Sequence, residues 1–271
     1  MKYQLFISDY DGTLGKAPAN NIDSETLSAI NKFIAKGGVF AVCSGRETSS
    51  ITRILKENNL KGLVVSFQGA RISDIESGKR LLDGGLDAKT AVQLIKELES
   101  VELTPLVYSG DSFFYREKTP YIEVYEKAVR INGRVEKDIA GAIEKENLSP
   151  SKICWLGDDK LVNQVAEKMN EKLANSGVKF NSGAPCLLEA INEKYNKGAA
   201  VRFLSKYYNI PLDKIIAVGD STNDIDLLKG EWHGVSVGDG REELKAVAKE
   251  ITVPFKERPV KYLLEKYCLN D

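Results

Sequence analysis

Apolar residues in this chain recur with two alternating periods. Leu5-Phe6-Ile7 runs into Asp9 and Asp11, and a short apolar run bounded by a turn signal reads as a buried parallel strand. Behind it Leu27, Ile30, Phe33 and Ile34 recur at helical spacing, with Asp23 or Ser24 as the cap and Gly37-Gly38 as the stop. Val39 to Cys43 is a second buried strand, ending at Ser44-Gly45-Arg46, and Ile51, Ile54 and Leu55 mark the next helix. Leu63 to Phe67 is a third strand, before Gln68-Gly69-Ala70. Strand, turn and helix in this succession predict a parallel sheet covered on both faces.

The texture changes from about Leu82. A helix through Ala91, Leu94, Ile95 and Leu98 follows Gly84-Gly85, then two strand candidates, Thr104 to Tyr108 and Ser112 to Arg116, flank Ser109-Gly110-Asp111. So short a link predicts an antiparallel hairpin. Lys152 to Leu156 reads as a strand, Lys160 to Leu173 as a helix and Val178 to Asn181 as a strand. The parallel rhythm resumes after Leu187, with a helix through Ala199, Val201, Phe203 and Leu204 and strands at Ile215 to Val218, Val235 to Val237 and Ile251 to Val253. The expected organisation is therefore a core of residues 1–82 and 187–271, a doubly wound parallel sheet of the Rossmann-like α/β class, interrupted by an α+β module of residues 83–186.

Composition narrows the function classes. The 38 Lys+Arg nearly cancel the 39 Asp+Glu, so no nucleic-acid or membrane partner is expected. Cys43, Cys154, Cys186 and Cys268 form no Cys-x-x-Cys pair; reduced, mostly buried thiols are expected rather than zinc ligands or a disulfide framework. No apolar stretch approaches the roughly 20 residues of a membrane span, and the charged, strand-like start lacks the layout of a signal peptide. A soluble cytoplasmic protein is the expectation, and Asn147-Leu148-Ser149 is then an incidental sequon. Neither a G-x-x-x-x-G-K-[ST] loop nor a G-x-G-x-x-G fingerprint occurs.

Ligands of open α/β sheets bind beyond the carboxyl ends of the strands. Three groups of polar residues sit there: Asp9 and Asp11, Ser44-Gly45-Arg46, and Asp220 with Asn223 and Asp224. Residues two apart on a strand face one side, so Asp9 and Asp11 converge. Their repulsion calls for a cation between them or a proton on one. Mg²⁺ suits oxygen ligands and a phosphate, and a protonated carboxyl can supply a leaving group with its proton. Singly, each group also fits a polar turn or a helix cap with solvated acids. Calcium loops are excluded, because the sixth positions counted from Asp9 and Asp220 are Leu14 and Ile225 where that loop needs Gly. The single histidine, His233, lies in a predicted loop with no second histidine to form a metal pair.

Taken together, Asp9-Tyr10-Asp11-Gly12-Thr13-Leu14, Ser44-Gly45-Arg46, Lys197 and Gly219-Asp220-Ser221-Thr222-Asn223-Asp224 resemble, in order and spacing, the four motifs of the haloacid dehalogenase superfamily. The resemblance spans the chain, and the large insertion between the second and third motifs is similar to the C2-type cap of the Cof-type (class IIB) branch. It implies a Mg²⁺-dependent phosphatase of a small phosphorylated metabolite, with a sugar phosphate as the expected substrate. Asp9 would be the nucleophile that forms an aspartyl-phosphate, Asp11 the general acid and base, Ser44 a phosphoryl ligand and Lys197 the charge-neutralising group. The metal would take Asp9, the backbone carbonyl of Asp11 and Asp220, with Asp224 and Asn223 behind them. Substrate-binding candidates are Gly45, Arg46, Gln68 and Asn223, joined by Glu189 and Asn192 on the segment that returns from the insertion. Gln68-Gly69-Ala70 stands where the Cof-type pattern commonly has Asn-Gly-Ala, and Gly238-Asp239-Gly240 where Gly-Asn-Ala is frequent. The alternatives are a phosphomutase of the same superfamily, similar to phosphomannomutases, and a non-enzymatic sensor of a phosphorylated ligand. The oligomeric state stays open, with a monomer favoured.

Overall fold

The first apolar run forms β1 (Leu5–Ser8), every residue of which is buried. In this computed structural model, which describes residues 1–15 and 21–270, β1 is followed by β2 (Val39–Cys43), β3 (Leu63–Ser66), β4 (Arg71–Asp74) and β5 (Arg80–Asp83). Next come β6 (Thr104–Ser109), β7 (Ser112–Tyr115), β8 (Arg134–Val135), β9 (Ile153–Leu156), β10 (Val178–Ala184) and β11 (Leu187–Asn192). The chain closes with β12 (Ile215–Gly219), β13 (His233–Ser236) and β14 (Glu250–Ile251). Two units result: Met1–Leu82 with Asn196–Asp271, and Asp83–Tyr195.

The first unit is a doubly wound α/β layer with sheet order β14-β13-β12-β1-β2-β3-β4-β5. Pairing is parallel from β14 to β3, and β4 turns back antiparallel on β3. Side chains alternate across β1, as strand geometry requires. Phe6, with Val42 and Ile216, packs on Ile30 and Phe33 of α1 (Ser24–Ala35) and on Ile51 and Ile54 of α2 (Thr48–Glu57). Leu5 and Ile7 point the other way, toward helical Ala200, Val201 and Leu204. Each such side chain contributes roughly 1.5–3 kcal/mol by leaving water. A strand this apolar on both faces is at home only in the middle of a covered sheet. Helix α1 begins where the Asp23 carboxylate accepts the Thr26 N–H, satisfying a donor that the helix itself leaves unpaired.

In the second unit the sheet order is β10-β11-β9-β6-β7-β8, and β6 and β7 form the expected hairpin. Helices α3 (Ala88–Glu97), α4 (Pro120–Val129), α5 (Ile139–Glu146) and α6 (Asp159–Lys172) accompany it. Residues of α3, α5 and α6 share one core with Val107, Trp155 and Phe180. Helix α4 instead serves the opposite face, where the Tyr125 and Tyr108 hydroxyls are 2.8 Å apart and the Tyr115 hydroxyl donates to Glu126 at 3.2 Å.

Several details differ from the sequence reading. Residues 187–195 belong to the second unit, not the first, because β11 pairs on one side with β10 and on the other with β9. The return therefore comes at Asn196 rather than Leu187. Strands β4 and β5 and helices α4 and α5 were not anticipated. His233 opens β13 instead of lying in a loop, and its Nε2 is 2.8 Å from the Glu250 carboxylate. Cys43, Cys154 and Cys268 are buried, Cys186 is half-buried, and none is paired. Among the described residues no helix is long and apolar enough to cross a membrane.

Candidate active site

Strand β1 runs parallel between β2 and β12, with Ile7 opposite both Ala41 and Ala217. Common direction and register carry the three strand ends to one edge, so the next residues, Asp9, Ser44 and Asp220, emerge side by side. Backbone bonds fix two of them as they leave the sheet: Asp9 N–H donates to Val218 O and Ser44 N–H to Val65 O, each at 2.9 Å. Lys197 enters as the first residue of α7 (Lys197–Tyr208), whose start is capped by the Asn196 side chain accepting the Ala199 N–H at 2.8 Å.

Lys197 is 1 % exposed, and its ammonium lies 2.6 Å from both the Asp9 and the Asp224 carboxylate. Burial opposes its charge, but Asp224 and Asp9 more than offset that cost, so its pKa is raised and it keeps its proton. The second oxygen of Asp224 accepts the Asp220 and Ser221 N–H groups, each at 3.1 Å. Asp224 thus pins the turn after β12 to Lys197. Carboxylate oxygens of Asp9, Asp220 and Asp224 lie within 4.8 Å of one another.

Three acids and one lysine leave this cluster with a surplus of negative charge. Burial raises Asp9 well above the ordinary carboxylate range, and the charge of Asp224 pushes it further, against the pull of Lys197. Burial and Asp224 push Asp220 up to about 6, although its carboxylate accepts the Thr13 hydroxyl at 3.0 Å. An all-oxygen, anionic, closely spaced donor set of this kind fits Mg²⁺, which binds carboxylates at about 2.0–2.1 Å.

Asp11 does not join that group through its side chain. Its carboxylate turns outward and takes both prongs of Arg46, Nε to Oδ2 at 2.7 Å and a terminal nitrogen to Oδ1 at 2.6 Å. The guanidinium rests 4.9 Å from the centre of the Tyr10 ring. Burial works against the charge of Arg46, but Asp11 raises its pKa. Two carboxylates two residues apart therefore occupy different surroundings, one buried on a lysine and one open beside an arginine. Ser44 Oγ accepts the Arg46 N–H at 3.1 Å, which leaves its hydroxyl hydrogen directed by whatever acceptor approaches. The amide oxygen of Gln68 accepts Asn223 Nδ2 at 3.3 Å, and Gly45 lies against the Gln68 amide.

The other two candidates lie in the second unit. Glu189 pairs with Lys152 at 2.5 Å, both side chains nearly buried. Asn192 donates to Gly85 O at 2.9 Å and accepts the Lys194 N–H at 3.0 Å. Three participants were not singled out from the sequence: Thr13 on Asp220, Asn196 as the cap that orients Lys197, and Lys152 on Glu189. Asn directly before a helix is a cap signal that the sequence does carry. The Thr13 and Lys152 contacts span 207 and 37 residues and have no local signature.

A sequence model of the haloacid dehalogenase-like hydrolases matches residues 6–264. The HMP-PP phosphatase of Klebsiella pneumoniae is 24% identical over 92% of this chain and 89% of its own. The 5-amino-6-(5-phospho-D-ribitylamino)uracil phosphatase YitU of Bacillus subtilis is also 24% identical, over 98% of each. The crystal structure of a haloacid dehalogenase-like hydrolase from Bacteroides thetaiotaomicron shares the fold with a TM-score of 0.83, at 23% identity over 98% of this chain and 99% of that one.

Proposed function

Because the chain belongs to the haloacid dehalogenase-like hydrolases, we propose that it is a Mg²⁺-dependent phosphatase that hydrolyses a small phosphorylated metabolite through an aspartyl-phosphate on Asp9. The observation that carries this reading is the division of labour between Asp9 and Asp11. Asp9 is buried and held by Lys197, as suits a fixed nucleophile whose attack on phosphorus brings more negative charge into the same space. Lys197 supplies fixed positive charge there without needing to reorganise. Asp11 is half-exposed on Arg46, apart from the buried cluster, and in this reading it gives a proton to the departing alkoxide and later takes one from water. A phosphate sensor has no use for that second carboxyl. The Ser44 hydroxyl and the Gly45 N–H hold phosphoryl oxygens, while the Arg46 N–H is taken by Ser44 Oγ and fixes the turn that presents them. Asp9, Asp220 and the carbonyl of Asp11 would hold Mg²⁺, with Asp224 and Asn223 behind them, and the ion would supply charge compensation for the transferring group.

The two named relatives have equal identity to this chain and different substrates by name. Identity at that level therefore does not choose the metabolite, and a sugar phosphate remains our proposal. So do leaving-group roles for Glu189 and Asn192; a changed preference between a sugar phosphate and p-nitrophenyl phosphate in Glu189→Ala would support the first. The test of the main reading is phosphate release from a panel of phosphorylated sugars, nucleotides and cofactors. Wild type should release phosphate with Mg²⁺ and not with excess chelator, and Asp9→Asn should be folded and inactive. Turnover by Asp9→Asn within tenfold of wild type refutes the nucleophile. Transfer of the phosphoryl group to a second sugar, without release, would make the enzyme a phosphomutase.

A further inference from the structure

Directly after β3, Phe67, Gln68 and Gly69 all take positive φ, at 51°, 59° and 111°. Two successive non-glycine residues in the left-handed region are held there only when their surroundings over-determine them. Phe67 N–H donates to Arg46 O at 2.9 Å and Gln68 N–H to Ser44 O at 3.1 Å, so the loop is bonded to both sides of the Ser44-Gly45-Arg46 turn. Gly69 meets the residue before Lys197: a Cβ at this position would lie 2.3 Å from Asn196 O. Gly45 in turn leaves room for the Gln68 side chain, since a Cβ there would lie 2.3 Å from Gln68 Nε2. The far end of that amide accepts Asn223 Nδ2. One short loop thus touches the turn after β2, the start of α7 and the turn after β12.

We propose that Gln68 is a positioning residue: its amide bridges Gly45 and Asn223 and sets the distance between the phosphate-binding turn and the turn that carries Asp220 and Asp224. In this chain the reach is that of a glutamine side chain. An asparagine there would be one methylene shorter. The strained backbone is what aims the side chain along this line, because Gln68 itself is 8 % exposed and starts from the left-handed region. This proposal rests on the phosphatase reading for its site, and differs from a leaving-group contact in what it predicts. A bridge acts on the part of the substrate shared by all phosphomonoesters.

The experiment uses the full chain with Mg²⁺ and inorganic phosphate as probe, followed by calorimetry, alongside KM and kcat for p-nitrophenyl phosphate and a sugar phosphate. Gln68→Ala and Gln68→Gly should each weaken phosphate binding about tenfold and raise KM for both esters by the same factor, while kcat changes less. That factor corresponds to the loss of about one hydrogen bond's worth of binding. Gln68→Gly accepts φ of 59° without strain, so an effect shared by both variants belongs to the amide rather than to the backbone. The losses in Gln68→Ala and Asn223→Ala should be non-additive, as for residues in contact. Wild-type phosphate affinity in Gln68→Gly, or a KM rise confined to the sugar ester, overturns the proposal. If wild type binds phosphate yet hydrolyses no ester, the phosphatase reading falls while the bridge is still decided by calorimetry. A wild type that binds no phosphate overturns both.

Discussion

Replacing Lys197 by methionine removes one charge and leaves a side chain of similar length. In the wild type the buried ammonium bonds two carboxylates at 2.6 Å, so the variant leaves Asp9 and Asp224 facing each other with no cation. Breaking a buried pair by deleting one partner costs about 3–5 kcal/mol, most of it from the stranded charge. For a unit of this size that corresponds to a fall in Tm of about 6–20 °C. The sign with pH follows from the shifts. Lys197 has a raised pKa in the fold, so its contribution is complete below the ordinary lysine value and is fully present at pH 7.5. Asp9 has a raised pKa, so the stranded acid takes up a proton more readily as the pH falls, and the gap between variant and wild type should be narrower at pH 5 than at pH 7.5. Added Mg²⁺ should narrow it as well, by supplying positive charge among the same oxygens. The assay is a thermal melt at both pH values, with chelator and with Mg²⁺. A Lys197→Met variant melting within 2 °C of wild type at pH 7.5 in chelator, on the order of 1 kcal/mol or less, refutes the reasoning that these three groups form one electrostatic unit.

Asp11→Asn should slow hydrolysis of a sugar phosphate far more than of p-nitrophenyl phosphate, because the poor leaving group depends on proton delivery; equal losses in steady-state kinetics count against Asp11 as the acid. Asp220 is pushed from 3.8 to about 6 in the ion-free fold, so Mg²⁺ affinity by calorimetry should rise with pH through about 6 and then level off. The ion-free protein should correspondingly lose stability as pH rises between those two values, and a flat profile in both measurements would remove Asp220 from the metal set. Gly69→Ala combines φ of 111° with a Cβ 2.3 Å from Asn196 O, so it should cost at least the roughly 1–3 kcal/mol of a strained backbone position. Its displacement of Asn196 should also lower activity through Lys197, and an unchanged urea midpoint with unchanged turnover speaks against the close approach.

What could be read from the sequence is what each residue does locally, and this accounts for both the successes and the failures. Continuous apolar runs with β-branched residues, such as Ile215-Ile216-Ala217-Val218, announce strands buried on both faces, and once the strands are parallel their ends must carry Asp9, Ser44 and Asp220 to one edge. Strand β5, Arg80-Leu81-Leu82-Asp83, is half-exposed with charges at both ends, so neither apolar run nor clean alternation marks it. Helix α4 buries only Ile122 and Glu126; a helix whose buried residues include a carboxylate satisfied by Tyr115, Gly133 and Lys118 has no apolar stripe to read. The boundary at Leu187 failed for a related reason. Leu187 to Asn192 has the pattern of a buried strand, and pattern gives the period of a strand but not its partner; that β11 joins β9 and β10 is decided by pairing at a distance. The pair Asp11 and Arg46 carries the same lesson into the site. Both residues stood out by motif, yet only the fold shows that they form a fork with each other, which separates the chemistry of Asp11 from that of Asp9 two residues away. Gln68 and Gly69 go furthest in this respect, since the demand for glycine at position 69 comes from the carbonyl of a residue 127 positions later, and no local rule could have supplied it.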